Sequence, residues 1–99
     1  MARFDIYRTA SLNGFLLDIQ SDLLSHLNTR LVVPLLRPQE APLPAKRLNP
    51  SFQIENETVV MVTQFLSSVP RSDLQTYVGN LSNHHEEIVD AVDFLLQGF

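Results

Sequence analysis

Only the C-terminal end of this 99-residue chain spaces its apolar residues as a helix does. Ile88, Ala91, Val92, Leu95, Leu96 and Phe99 fall at i, i+3, i+4, i+7, i+8 and i+11, the repeat of a helix with one buried face. Everything before it is cut into short apolar runs by prolines and turn pairs. A chain so punctuated must build its core from several short strands and close it with one helix, expected over residues 83–99. The stripe runs to the last residue, so Phe99 needs a cover: the chain's own core, a twin subunit or a partner protein.

That helix also carries the charge. Glu86, Glu87, Asp90 and Asp93 are its acids, and it has no Lys or Arg. The rest of the chain balances seven acids against seven basic residues, so the net −4 belongs to the helix. Glu86 and Glu87 suit the positive end of the helix dipole, whereas Asp93 and the terminal carboxylate crowd the negative end. The segment is either a solvated acidic face or an anionic tip awaiting a cation on another molecule.

The strands read as follows. Arg3 to Tyr7 alternates charged and apolar residues, with Phe4 and Ile6 on one side. Asn13-Gly14 signals a turn into Phe15–Gln20. Leu31–Leu36 is a third strand, whose Pro34 lacks the amide a central ladder needs and so predicts an edge or a bulge. Four of the six prolines lie in residues 37–50, which makes that segment a surface loop. A second hairpin joins Ser51–Ile54 to Thr58–Thr63 through Glu55-Asn56-Glu57. Gln64–Val69 adds a short strand, and residues 71–80 hold one irregular helical turn. Ser82 or Asn83 is expected to cap the helix, with Glu86 completing a capping box on Asn83. The sum is a β-rich α+β domain spanning residues 1–99, a small antiparallel barrel of five to six strands with a C-terminal helix.

Several functions are excluded or disfavoured by composition. No apolar run approaches the roughly 20 residues of a membrane span, and the first five residues lack a signal peptide's apolar core. A chain without cysteine has no disulfide or thiolate metal site. Both points fit the cytoplasm and no membrane partner. A pI near 5.1 argues against direct nucleic-acid binding through phosphates. His84 and His85 are adjacent, so on a helix they diverge by about 100° and do not share a metal. No phosphate loop or nucleophile motif marks an enzyme, and no cofactor is expected. Asp18 and Asp22 share a strand face, which is either a paired-acid site or a polar edge or dimer seam.

An ordered set of motifs points further. Leu17-Asp18-Ile19-Gln20-Ser21-Asp22-Leu23-Leu24, then Val33-Pro34-Leu35, the Ser68-Val69-Pro70 corner, and Leu81-Ser82 leading to a helix that ends in Gly98 plus an apolar residue occur in this order. That constellation resembles the CcdB family of toxins from bacterial toxin–antitoxin modules, over nearly the whole chain apart from residues 37–50. The resemblance implies a homodimer built on an SH3-like barrel, binding to the A subunit of DNA gyrase that traps the cleaved-DNA complex, and neutralisation by a CcdA-type antitoxin. It implies a gyrase surface made of Leu23, Leu24, Asp93, Leu96, Gln97, Gly98 and Phe99. We expect the dimer seam near Gln20, Ser21 and Asp22, and antitoxin contacts from the proline-rich loop through Arg37, Lys46 and Arg47. The chain departs from the family at Gln97, where the best-known members carry a tryptophan that stacks on an arginine of gyrase, and at Asp93, where they carry asparagine. Two other readings stand beside this one: an inactivated or repurposed toxin, and an mRNA-cleaving toxin of the MazF type on the related barrel.

Overall fold

The computed structural model describes residues 1–9 and 13–98. Among these residues seven strands precede one helix: β1 (Asp5–Arg8), β2 (Phe15–Asp18), β3 (Thr29–Leu36), β4 (Ser51–Ile54), β5 (Glu57–Met61), β6 (Ser67–Pro70), β7 (Thr76–Asn80) and α1 (His85–Gln97). They form one curled antiparallel sheet in the order β4-β5-β3-β2-β1-β7, with β6 beside the first half of β3. The architecture is the β-rich half-barrel with a terminal helix that the sequence predicts, with one strand more than expected.

The apolar run in β3 is buried on both faces, and the sheet shows why. Val33 and Leu35 join Ile6, Phe15, Leu17, Phe52, Val59, Met61, Ile88 and Ala91 in the main core beneath α1. Val32 points the other way, into a smaller cluster with Tyr7 and Leu74, against which Leu16 and Val69 pack. Strand alternation sends neighbours to opposite faces. The helix contributes through the first half of its stripe. Ile88 and Ala91 are buried, Val89 and Val92 are partly so, and Leu96 is left exposed.

Pro34 is not at an edge, because β3 is the central strand. It pairs with β2 on one side, while its other side meets β6 over Thr29–Val32 and β5 over Leu35–Leu36. The Pro34 carbonyl accepts from Val62 N on that second side. A residue's N–H and C=O leave a strand in the same direction, so the missing amide falls where the ladder changes partner. The proline costs no strand hydrogen bond there.

Two further expectations change. Residues 71–80 do contain one 3-10 turn, Arg71–Asp73, but Thr76–Asn80 is the strand β7, paired with β1 through a bulge between Ile6 and Tyr7. The capping box on Asn83 is not formed. A 3-10 turn over Ser82–His84 leads into α1, His84 is the cap residue, and its Nδ1 lies 3.0 Å from Glu87 Oε1. The tight turn supplies the entry geometry instead, with His84 N donating to Leu81 O at 2.8 Å.

The turns otherwise match their residues. Ile54 pairs with Glu57, leaving the two-residue turn Glu55-Asn56 with both φ values positive, at 51° and 65°. Arg8 pairs with Phe15, so the first hairpin has a longer connection, and Asn13-Gly14 closes it. A Cβ on Gly14 would sit 2.1 Å from the Leu35 carbonyl oxygen, which admits only glycine. Residues 37–50 contain neither helix nor strand.

The far side of β1 holds a polar group that titrates unusually. The Tyr7 hydroxyl donates to Asp5 Oδ2 at 3.3 Å, and Asp5 also accepts from Ala2 N at 2.7 Å and Asn80 Nδ2 at 2.9 Å. Burial, then the Asp5 charge, push the Tyr7 phenol up from 10.0 to about 12. Below pH 10 neither the folded nor the unfolded phenol ionises, and nothing is lost. Between pH 10 and 12 the unfolded chain ionises first, so stability falls as pH rises, by roughly 2–3 kcal/mol for two units. Denaturation at pH 9 and pH 11.5 should show this loss in the wild type and a smaller one in Tyr7→Phe.

Candidate functional site

Between β2 and β3 the chain leaves the sheet and returns, and the residues of this excursion are fixed individually. Ile19 N donates to Leu31 O at 3.0 Å, closing its base. Asp22–Leu24 forms a 3-10 turn capped by Ser21, whose Oγ accepts from Leu23 N at 3.2 Å. Asp22 Oδ1 accepts from Arg3 N at 2.8 Å. On the other flank Arg71 Nη1 reaches the Ser25 carbonyl at 3.2 Å, and Arg71 N donates to Asn28 O at 2.9 Å. A well-anchored turn therefore presents Leu23 at 88% exposure and Leu24 at 45%, beside the exposed Leu27.

Beneath the turn is a buried ion pair. Arg30 Nε donates to Asp18 Oδ2 at 2.8 Å, and both side chains are wholly buried. Arg30 Nη2 stands 2.7 Å from the same oxygen without hydrogen-bond geometry, and Nη1 has no partner among the described residues. Burial pushes the Asp18 carboxyl above its ordinary value, opposed by the Gln20 N–H and by Arg30. Asp18 and Asp22 thus do not form an acid pair. The first is consumed by Arg30 and the second by the Arg3 amide, because the strand ends at Asp18 and the alternation that aligned them stops.

The second exposed apolar element is the end of α1. Gly98 takes φ 80° and its N–H donates to Phe94 O at 2.9 Å, a left-handed C-cap that suits glycine. Leu96 is 69% exposed, Gln97 and Gly98 are exposed, and Asp93 is half-buried. Phe99 lies outside the described residues. Among the described residues no hydrogen bond or ion pair joins this tip to the Leu23–Leu24 turn.

The acidic helix face is partly neutralised from within. Arg47, from the proline-rich loop, donates from Nε and Nη2 to the two Asp90 oxygens at 2.8 Å each, and its guanidinium lies 5.0 Å from the centre of the Phe94 ring. The pairing holds the Asp90 carboxyl below its usual value, and Asp93 adds to the field on Arg47. The loop itself is pinned by Asn49, which reaches Met61 O at 3.0 Å and Gln64 Oε1 at 2.8 Å. Arg37 pairs with Glu57 at 3.1 Å, while Lys46 is exposed. Of the three residues expected at the dimer seam, Ser21 and Asp22 are exposed and Gln20 is buried. The two histidines diverge as their spacing requires. His85 meets Phe4 edge-on at 5.2 Å and His84 meets Phe52 at 4.9 Å. No cluster of three metal-ligating side chains exists among the described residues.

The family model described as CcdB protein matches residues 3–98. The chain belongs to the CcdB family. It is accordingly a toxin of the toxin–antitoxin type. Among solved structures, an endoribonuclease in complex with its cognate antitoxin, from a mycobacterial species, superposes with a TM-score of 0.78 at 14% identity, covering 97% of this chain and 94% of that one. A mycobacterial endoribonuclease gives 0.76 at 15%, covering 97% and 90%. The Mycobacterium tuberculosis toxin MazF-mt6 gives 0.76 at 14%, covering 95% and 96%. At such identities the likeness is one of fold. CcdB-family and endoribonuclease toxins share the half-barrel, and the sheet does not choose between their activities. No described helix is long and apolar enough to cross a membrane.

Proposed function

We propose that this CcdB-family chain acts by binding the A subunit of DNA gyrase and trapping its complex with cleaved DNA, with no chemistry of its own, in the cytoplasm. The observation that carries the reading is the outward display of Leu23 and Leu96 at two family positions far apart in sequence. Large apolar side chains held out on a hydrogen-bonded turn and on a helix end are contact groups awaiting a surface. Leu24, Asp93, Gln97, Gly98 and Phe99 complete the proposed gyrase surface. Gln97 offers no π face, so the contact gives up a cation–π term of about 0.5–2 kcal/mol and rests on apolar burial and the carboxylates.

A homodimer with Ser21 and Asp22 at its seam is part of the proposal, as is neutralisation by a CcdA-type antitoxin on Arg37, Lys46 and Arg47. Asp90 and Glu57 already hold two of those cations, so an acidic peptide would compete for them with the chain's own carboxylates. RNA cleavage is the second reading, favoured by the endoribonuclease neighbours. It needs an accessible general acid–base pair. The Asp18–Arg30 pair, with neither side chain exposed, offers nothing to a substrate.

One experiment separates the readings. The purified protein is incubated with gyrase and supercoiled plasmid, and in parallel with a long single-stranded RNA. Linear DNA released by detergent and protease, with the RNA intact, is the expected result. Cleaved RNA without linear DNA would replace the gyrase reading with the nuclease one.

A further inference from the structure

The Leu23–Leu24 turn is presented on a brace that begins in the core. Asp18 Oδ2 takes Arg30, and its Oδ1 accepts from Gln20 N at 3.0 Å. The Gln20 side chain then spans the excursion. Its Oε1 accepts from Leu31 N at 3.0 Å on the returning arm, and its Nε2 donates to the Leu24 carbonyl at 3.0 Å on the turn. Both ends of this amide are consumed inside the chain, and the residue is 8% exposed. A buried ion pair with an unpartnered Arg30 nitrogen is an expensive way to fill a sheet, since an apolar pair of similar volume holds a core as well. The network does what an apolar pair does not: it fixes the direction of one amide that ties the turn to the strand.

We propose that Gln20 is a positioning residue for the Leu23–Leu24 contact, set by the Asp18–Arg30 pair, and that it acts by pre-ordering the turn rather than by touching the partner; this rests on the gyrase reading above. A turn held in its bound shape before contact does not pay for ordering at the moment of binding. Released from the Leu24 carbonyl, the turn keeps its Ser21 cap and its anchors on Arg3 and Arg71, but Leu24 itself loses its tie to Gln20 and through it to the returning arm.

The test uses the full chain with Gln20→Met, which removes both amide bonds at similar volume, and Gln20→Glu, whose ionised form keeps an acceptor for Leu31 N and loses the donor to Leu24 O. Backbone order parameters of Leu23 and Leu24 are measured by NMR, with the shifts of Ile88 and Ala91 reporting the core, and affinity is measured for the purified gyrase A subunit. We expect the order parameters to fall from about 0.85 toward 0.6 or below in both variants, with core shifts unmoved. Affinity should fall about tenfold. Gln20→Glu keeps the inference open to test if Gln20→Met fails to fold. A turn that stays rigid in Gln20→Glu, or one that loosens with affinity unchanged, overturns the inference. A wild-type chain that ignores gyrase A, beside variants whose turn loosens, supports the brace and removes the gyrase reading instead.

Discussion

Asp18→Ala is expected to cost about 3–5 kcal/mol, the largest loss of any single substitution considered for this chain. The substitution leaves the Arg30 guanidinium wholly buried with no counter-ion, in a sheet whose neighbours at that face are Val32, Val69 and Leu16. It also strands Gln20 N, which donates to Asp18 Oδ1. Against a total stability of roughly 5–15 kcal/mol this is a third or more of the reserve. Replacing both partners, Asp18→Leu with Arg30→Met, removes the charges together and should return the stability to near the wild-type value. Urea denaturation at one fixed protein concentration checks this, since a shift in midpoint with unchanged slope reports stability alone. Equal losses in the single and the double variant would mean that the pair is worth its burial, and that the core rather than the unpaired charge sets the cost.

The helical repeat and the hairpin turns, which are local patterns, were legible in the sequence, although the capping box on Asn83 was not formed, and what depends on distant pairing was not legible. The helix was read at residues 83–99 and found at 85–97, because the 3.6-residue repeat is written in neighbouring positions. β7 was missed because Thr76-Tyr77-Val78-Gly79-Asn80 carries no alternation of its own. It is a strand only through its bonds to β1, about 70 positions earlier. Of the edge or bulge expected at Pro34, the edge failed for the same reason. A missing amide forbids a ladder bond, and the sequence does not say that this strand would change partners at that residue.

The candidate site divides along the same line. Leu23, Leu24 and the helix end were legible only through the ordered motifs of the family, since nothing in a leucine says that it faces solvent, and the Ser21-capped turn replaces a segment whose alternation reads as a continuing strand. The brace does not, since Asp18 and Arg30 are twelve positions apart and Arg30 stands in an apolar strand, where a charge is normally read as pointing to solvent. The helix looked like an unpaired anion because the guanidinium that pairs with Asp90, that of Arg47, sits 43 positions earlier in a loop whose prolines gave no hint of where it would lie.

Leu23→Asp and Leu96→Asp should each weaken binding to the gyrase A subunit by about 30-fold or more while leaving the fold alone. Both side chains are mostly in water already, so the folded chain loses little, within about 0.5 kcal/mol. In the complex, a carboxylate forced into an apolar contact has to be desolvated without a partner, and the burial gained by the leucine is lost as well, about 2 kcal/mol or more together at a central contact. Leu43→Asp is the control. It is more exposed still, at 94%, but lies in the proline-rich loop assigned to the antitoxin. It should leave gyrase affinity unchanged and weaken antitoxin binding. Calorimetry of the three variants against each partner decides the matter, because a uniform loss would indicate a damaged chain and a split between partners would not. If Leu43→Asp abolishes gyrase binding while Leu23→Asp and Leu96→Asp spare it, the target sits on the loop, and the leucines of the turn and the helix end are ordinary surface.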